Sequence, residues 1–272
     1  MSSGDPSGTR FNFVSEKPFF AAAPKDRPDV IAHRGGGGEW PGETIYAFRE
    51  AIKLGVDVLE FDVRRTADDQ IVLMHNSTVD ETTDGTGHVR TKTLKELKKL
   101  NAAARWPGQN EQIPTLEEVL VLIDSHPMLR FNIEIKDRDL WLTKAVGELV
   151  CSKGIEDNVL LASGWDSVIQ AFRRDYSRIA TSASVLEILG FKACRKYRPN
   201  TEAIQWHSKF GPIRIINRGF VERAHRLALM VHGWTVNEPK EMDRMIKLGV
   251  DGIITDYPTT LLKMLKSTVN AR

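Results

Sequence analysis

Three carboxylates, a lysine and two histidines lie in short apolar segments where an ordinary core would hold few of them. In the run "LEFD", Glu60 and Asp62 are two residues apart. In a strand that spacing puts both on one face, while Leu59, Phe61 and Val63 point the other way. "FNIEIK" repeats the device: Asn132, Glu134 and Lys136 share a face opposite Ile133 and Ile135. Charges turned into an interior must be paired with one another or hold a cation. Three converging carboxylates suit a hard divalent ion, Mg²⁺ or Ca²⁺, better than a closed salt-bridge cluster. His33 closes "DVIAH" and His75 closes "IVLMH". Beside a carboxylate cluster, the two are candidates for a general acid and a general base.

These residues need elements to aim them. Nine apolar segments read as strands: 29–33, 57–63, 71–75, 131–135, 158–163, 178–183, 202–206, 229–236 and 252–256. "RRTADDQ" between the second and third is too short for a parallel crossover, so "IVLMH" is expected to fold back as a hairpin partner. Eight strands then remain, most separated by enough residues for a helix. That number and length fit an α/β fold of the (β/α)₈ barrel type, with active residues at the C-terminal strand ends. The segment "IKLGVD" occurs at 52–57 and again at 246–251, each time ending a helix with a glycine at the C-cap. A repeated αβ joint agrees with a barrel. An open doubly wound sheet would want a G-x-G-x-x-G turn after its first strand, and "HRGGGGEWPG" fits that poorly.

The domain is expected over 29–268, preceded by an extension over 1–28 whose "FNFV" and "FFAAA" carry enough apolar surface to pack on it. Residues 76–128 exceed what one barrel helix needs. An insertion over the rim is expected there, with N-caps at Thr93 and Thr115 and substrate-contacting loops in "TTDGTGHV" and "RWPGQNEQIP". His88, His126, His207 and His225 are expected at the surface. His232 lies two before Trp234 and on its face, either lining the pocket or filling the interior. Gly35–Gly38 are read as a side-chain-free path that leaves room for ligands against the rim.

Lys plus Arg number 38 against 36 acids, which excludes the basic excess of a nucleic-acid binder. Cys151 and Cys194 have no metal-ligand spacing. No apolar run has the length of a membrane span, the N-terminus lacks the order of a secretory signal, and a cytoplasmic location is expected.

Taken together, "AHRGGGGEWPGETIYAF", "GVDVLEFDVRRTADDQIVLMHN", "NIEIK", "WTVN" and "DGIITDYP" closely resemble the glycerophosphodiester phosphodiesterases, in the family's motif order from about 29 to 265. The resemblance implies a (β/α)₈ barrel that hydrolyses a small-molecule glycerophosphodiester to sn-glycerol 3-phosphate and an alcohol through a cyclic phosphate. It implies Glu60, Asp62 and Glu134 as ligands of a divalent metal and His33 and His75 as the acid/base pair. Arg34 and Lys136 would hold the phosphate, and Trp234 would lie against the glycerol. Lysophospholipase D or sphingomyelinase D chemistry on lipid substrates is the alternative, since such enzymes share much of the motif set. A barrel that binds phosphodiesters without turnover is a third reading, which the intact histidines and carboxylates oppose. Two positions depart from the family. Its Pro-Glu-Asn-Thr is here Pro41-Gly42-Glu43-Thr44, so either Glu43 substitutes from one residue along or a contact is lost. Its His-Asp is here His75-Asn76.

Overall fold

Each of the nine segments forms a strand in the computed structural model, which describes residues 17–23, 26–211 and 213–270. The strands are β1 (Asp29–His33), β2 (Val58–Arg65), β3 (Ile71–Leu73), β4 (Arg130–Ile135), β5 (Val159–Ala162), β6 (Ala180–Thr181), β7 (Ala203–His207), β8 (Lys209–Phe210), β9 (Ile213–Arg214), β10 (Met230–Trp234) and β11 (Gly252–Thr255). Eight of them pair in parallel in the order β6-β5-β4-β2-β1-β11-β10-β7. The two ends meet at a parallel bridge between Ser182 and Ala203, with the Ala183 N–H donating to the Ala203 carbonyl at 2.8 Å. The result is a nearly closed barrel. β3 runs antiparallel to β2 with Val63 opposite Leu73, as the short "RRTADDQ" turn requires. The small hairpin of β8 and β9 is not foreshadowed by any apolar alternation in the sequence.

The helices are α1 (Pro18–Ala21), α2 (Ile45–Leu54), α3 (Leu94–Leu97), α4 (Leu116–Leu120), α5 (Leu140–Ser152), α6 (Asp166–Asp175), α7 (Val185–Ala193), α8 (Arg218–Arg226), α9 (Pro239–Leu248) and α10 (Pro258–Asn270). Outward-facing strand residues such as Leu59, Phe61, Val63, Ile133 and Ile135 join them in one large buried cluster. That placement leaves the alternate residues of β2 and β4 pointing inward, carboxylates included.

The duplicated "IKLGVD" is one joint built twice. Gly55 (φ 89°) and Gly249 (φ 74°) end α2 and α9 in the left-handed conformation. The aspartate that follows each then ties down a neighbouring strand. Asp57 Oδ2 accepts the Val30 N–H and Asp251 Oδ2 accepts the Val231 N–H, both at 2.8 Å.

Helix α1 supplies the floor of the barrel. Phe19 and Phe20 of α1 are buried with Ile31, Val58, Leu160, Ala203 and Ile254. Asp29 and Arg130 form a buried bidentate pair beneath them at 2.6 and 2.8 Å, and Arg130 also donates to the Phe19 carbonyl. The two phenylalanines of "FFAAA" therefore pack inward, with Ala21 and Ala22 exposed, while "FNFV" lies outside the described residues. His232 fills the same floor: it is 1% exposed, its Nδ1 lies 3.1 Å from Gln205 Nε2, and its ring sits beside Phe20.

The insertion folds on a core of its own, made by Val72, Met74, Val79, Val89, Leu97 and Ile113. Thr93 and Thr115 both form capping boxes, with Glu96 and Glu118. His88, His126 and His207 are exposed. His225 is only partly exposed, with its Nε2 2.8 Å from Asp251 Oδ2 in the repeated joint. Among the described residues no helix is long and apolar enough to cross a membrane.

Candidate active site

Pairing fixes where the inward residues end up. Opposite each other in register stand His33 and Glu60 of β1 and β2, Glu60 and Asn132, and Asp62 and Glu134 of β2 and β4. Glu60, Asp62 and Glu134 consequently present carboxylate oxygens that all lie within 4.8 Å of one another. Glu60 and Asp62 are buried.

The neighbours of the cluster are cationic but do not complete it. Lys136 Nζ is 3.1 Å from both Asp62 Oδ1 and Glu134 Oε1, and Arg34 Nε is 3.4 Å from Asp62 Oδ2. Even so, both Asp62 oxygens and Asn132 Oδ1 are fully buried and accept no aligned hydrogen bond. Burial, then the like charges of Asp62 and Glu134, push Glu60 well above the usual carboxylate range. Burial and Asp62 raise Glu134 as well. Burial acts on Asp62 in the same sense, but Lys136, Arg34 and the two histidines outweigh it and hold its pKa low. Two orphaned buried oxygens on Asp62, crowded by the carboxylates of Glu60 and Glu134, are what a hard cation relieves, so these residues fit a divalent metal.

Each histidine is held by its Nδ1. His33 Nδ1 lies 2.5 Å from Asp256 Oδ1, and the Asn237 amide donates to Asp256 Oδ2 at 2.6 Å. Its Nε2 is left facing Glu60, 3.9 Å away. His75 Nδ1 lies 2.6 Å from Asn76 Oδ1, and Asn76 donates in turn to Glu81. A ring that donates through Nδ1 keeps Nε2 for proton transfer, the orientation general acid/base work needs. Burial lowers the pKa of His75, helped by Arg34 and Lys136 against the pull of Asp62.

Glu43 does not join the cluster. Its two oxygens accept the backbone N–H groups of Asp62 (3.0 Å) and His75 (2.7 Å), so it braces the backbone that carries one carboxylate of the cluster and one histidine. Arg34 (φ 52°) and Glu43 (φ 58°) are both left-handed, and the Glu43 N–H donates to the Arg34 carbonyl at 2.9 Å. Two such non-glycine residues cost roughly 1–3 kcal/mol each, a strain that collects at functional sites.

Three of the four glycines serve the protein's own packing, while Gly37 lies open beside Asp256. A Cβ at Gly35 would strike Phe48, one at Gly36 would strike Trp40, and one at Gly38 would lie 2.6 Å from the Tyr257 ring. The Gly36 and Gly37 N–H groups both close on the His33 carbonyl, and that tight turn presents His33.

Trp234 lines a cavity of about 130 Å³ beside the cluster together with Glu60, Asn132, Glu134 and Trp206, and His207 stacks on it at 4.3 Å. A wider groove of about 830 Å³ continues past Lys136 to Arg138, Trp165 and Leu186. Neither "TTDGTGHV" nor "RWPGQNEQIP" lines either space, because the insertion packs its loops against its own core. Sequence reasoning alone misses Asp256 and Asn237. Their signal is position: each follows a barrel strand that the ring order places next to β1 or one strand beyond it.

Residues 33–260 match the Glycerophosphoryl diester phosphodiesterase family. The chain belongs to that family. It is 35% identical over 241 residues to a putative glycerophosphodiester phosphodiesterase of Bacillus subtilis, covering 86% of this chain and 96% of the relative. It is 37% identical over 250 residues to a glycerophosphodiester phosphodiesterase of Caldanaerobacter subterraneus, covering 87% and 97%. A solved structure of a putative family member from Silicibacter pomeroyi superposes with a TM-score of 0.79 at 25% identity, over 93% of this chain and 98% of that one. The family is one of phosphodiester hydrolases, and the nearly closed barrel is the fold of its solved members.

Proposed function

We propose that this enzyme hydrolyses glycerophosphodiesters to sn-glycerol 3-phosphate and an alcohol, with Glu60, Asp62 and Glu134 as ligands of Mg²⁺ or Ca²⁺. The observation that carries the reading is the cluster of three carboxylates, with both Asp62 oxygens buried and orphaned, flanked by two histidines each held through Nδ1. A divalent cation bound there would neutralise phosphoryl charge that builds up in the transition state.

Everything else falls to the chain's own side chains. Arg34 and Lys136 face the cluster and hold the phosphate oxygens, and Trp234 packs against the glycerol carbons. One imidazole takes the proton of the glycerol 2-hydroxyl at Nε2. That oxygen attacks phosphorus, the bond to the alcohol breaks, and the other histidine protonates the departing alkoxide. Water then opens the cyclic phosphate with the two roles exchanged. Asp256 and Asn76 keep the rings in the required tautomer throughout.

The test is release of glycerol 3-phosphate from glycerophosphocholine with Mg²⁺ or Ca²⁺ present. His33→Ala and His75→Ala should each abolish turnover while the circular dichroism spectrum stays unchanged. Failure to cleave any glycerophosphodiester with any divalent ion would overturn the proposal. A lipid substrate is the second reading, and the apolar wall of Trp165, Val185 and Leu186 in the adjoining groove favours it. Comparing lysophosphatidylcholine with glycerophosphocholine separates the two.

A further inference from the structure

The two histidines of the site are each backed by one carboxylate and one amide, but in opposite order. Behind His33 the Asp256 carboxylate comes first and the Asn237 amide second. Behind His75 the Asn76 amide comes first and the Glu81 carboxylate second. The order matters because an ionised carboxylate only accepts, whereas an amide both donates and accepts. Asp256 by itself keeps the ring hydrogen of His33 on Nδ1. Asn76 by itself forces nothing: turned over, its amide would donate to Nδ1 and send the ring hydrogen of His75 to Nε2.

Glu81 removes that ambiguity. Its carboxylate accepts from Asn76 Nδ2, so Asn76 Oδ1 must face the ring and the ring must donate. The rest of His75 is already fixed. Its N–H is held by Glu43 Oε2 at 2.7 Å, and its carbonyl accepts from Arg64 Nε and a terminal Arg64 nitrogen at 3.1 and 2.7 Å. The direction of the hydrogen bond at Nδ1 is the variable that remains, and Glu81 sets it.

The insertion in turn holds Glu81. The residue sits in a turn closed by the Thr83 N–H and hydroxyl, which donate to the Val79 carbonyl at 3.0 and 2.8 Å, and Val79 is buried in the insertion's own core. Arg105, which opens the loop "RWPGQNEQIP", donates to the Asp80 and Glu81 carbonyls at 3.0 and 3.1 Å. Glu81 lines neither the cavity nor the groove beside the carboxylates, so it acts on the site through Asn76.

We infer that Glu81 is a positioning residue that locks the Asn76 amide, so that His75 keeps its hydrogen on Nδ1 and a free lone pair on Nε2. The consequence for turnover rests on the function proposed above; the tautomer itself does not.

The test pairs turnover of glycerophosphocholine by the full chain with nitrogen NMR of its imidazoles at alkaline pH, where the rings are neutral. The His75 signals are assigned by their loss in His75→Ala. Wild type should show the Nδ1–H tautomer at His75. Glu81→Ala should show a mixture of the two tautomers. It should also lower kcat about tenfold, with KM and melting temperature little changed, because the lost charge-assisted hydrogen bond lies outside the substrate space. Glu81→Gln should fall between the two, since its amide accepts in one of its two orientations. Asn76→Asp puts a carboxylate directly on the ring, as Asp256 does for His33, so adding Glu81→Ala to that variant should cost no further activity. A single Nδ1–H tautomer or an unchanged kcat in Glu81→Ala would overturn the inference. So would an equal loss from Glu81→Ala in both backgrounds, which marks a merely structural role. If the wild type cleaves no glycerophosphodiester, the catalytic proposal fails while the tautomer spectra still decide this inference.

Discussion

The barrel floor makes stability fall with pH in a way that can be traced to one ring. His232 is buried against Phe20, its Nε2 has no hydrogen-bond partner, and Arg130 is a nearby positive charge. Burial outweighs the pull of Asp251, with a smaller push from Arg130 in its own direction, and lowers its pKa from 6.5 to about 4. The folded state therefore refuses a proton that the unfolded chain accepts. As pH drops through 6.5 the unfolded state gains that proton first, so stability is lost until about pH 4, where the folded state also protonates. A difference of that size at 1.36 kcal/mol per unit comes to about 3 kcal/mol. Urea unfolding at pH 7.5, 6, 5 and 4 measures it, with His232→Leu as the non-titrating reference and His232→Gln as a second should leucine pack poorly. Both variants still carry every other titrating group, so the wild type should lose about 3 kcal/mol more than they do across this range. If wild type and variants lose stability in parallel, the ring is not held neutral and the reasoning fails.

Three further outcomes follow from the same geometry. Asp256→Asn should lower kcat by about 10²–10⁴-fold with little change in melting temperature, because His33 loses the carboxylate that orients its Nδ1–H; a near-normal kcat at neutral pH would contradict this. Asp29→Asn should cost about 3–5 kcal/mol in urea unfolding by leaving Arg130 buried without its partner, and pairing it with Arg130→Met should recover most of the loss. Mg²⁺ or Ca²⁺ should raise the melting temperature of the wild type and EDTA should reverse the rise, whereas Glu60→Gln should abolish the shift; an equal rise in that variant would place the ion elsewhere.

Much of the site is legible in the sequence because strands make local rules rigid. Period-two alternation in "LEFD" and "FNIEIK" dictates that Glu60 and Asp62, or Asn132, Glu134 and Lys136, point together, and packing of Leu59, Phe61 and Ile133 on the helices dictates that they point inward. The hairpin of β3, the capping boxes at Thr93 and Thr115, and the two glycine C-caps are equally local, each governed by a few consecutive residues.

What the sequence does not contain is distance between residues far apart in the chain. Asp256 reaches His33 across 223 positions only because β11 closes the ring against β1. Glu43 is a brace because the turn that carries it passes behind the backbone of both Asp62 and His75. Gly35–Gly38 read as room for a ligand, yet Phe48, Trp40 and Tyr257 fill the space at Gly35, Gly36 and Gly38 and leave only Gly37 open. Residue types and their alternation thus determined the chemistry and the faces on which it stands. The tertiary structure alone decided that Asp256 serves His33, since barrel closure brings together residues on which local periodicity is silent.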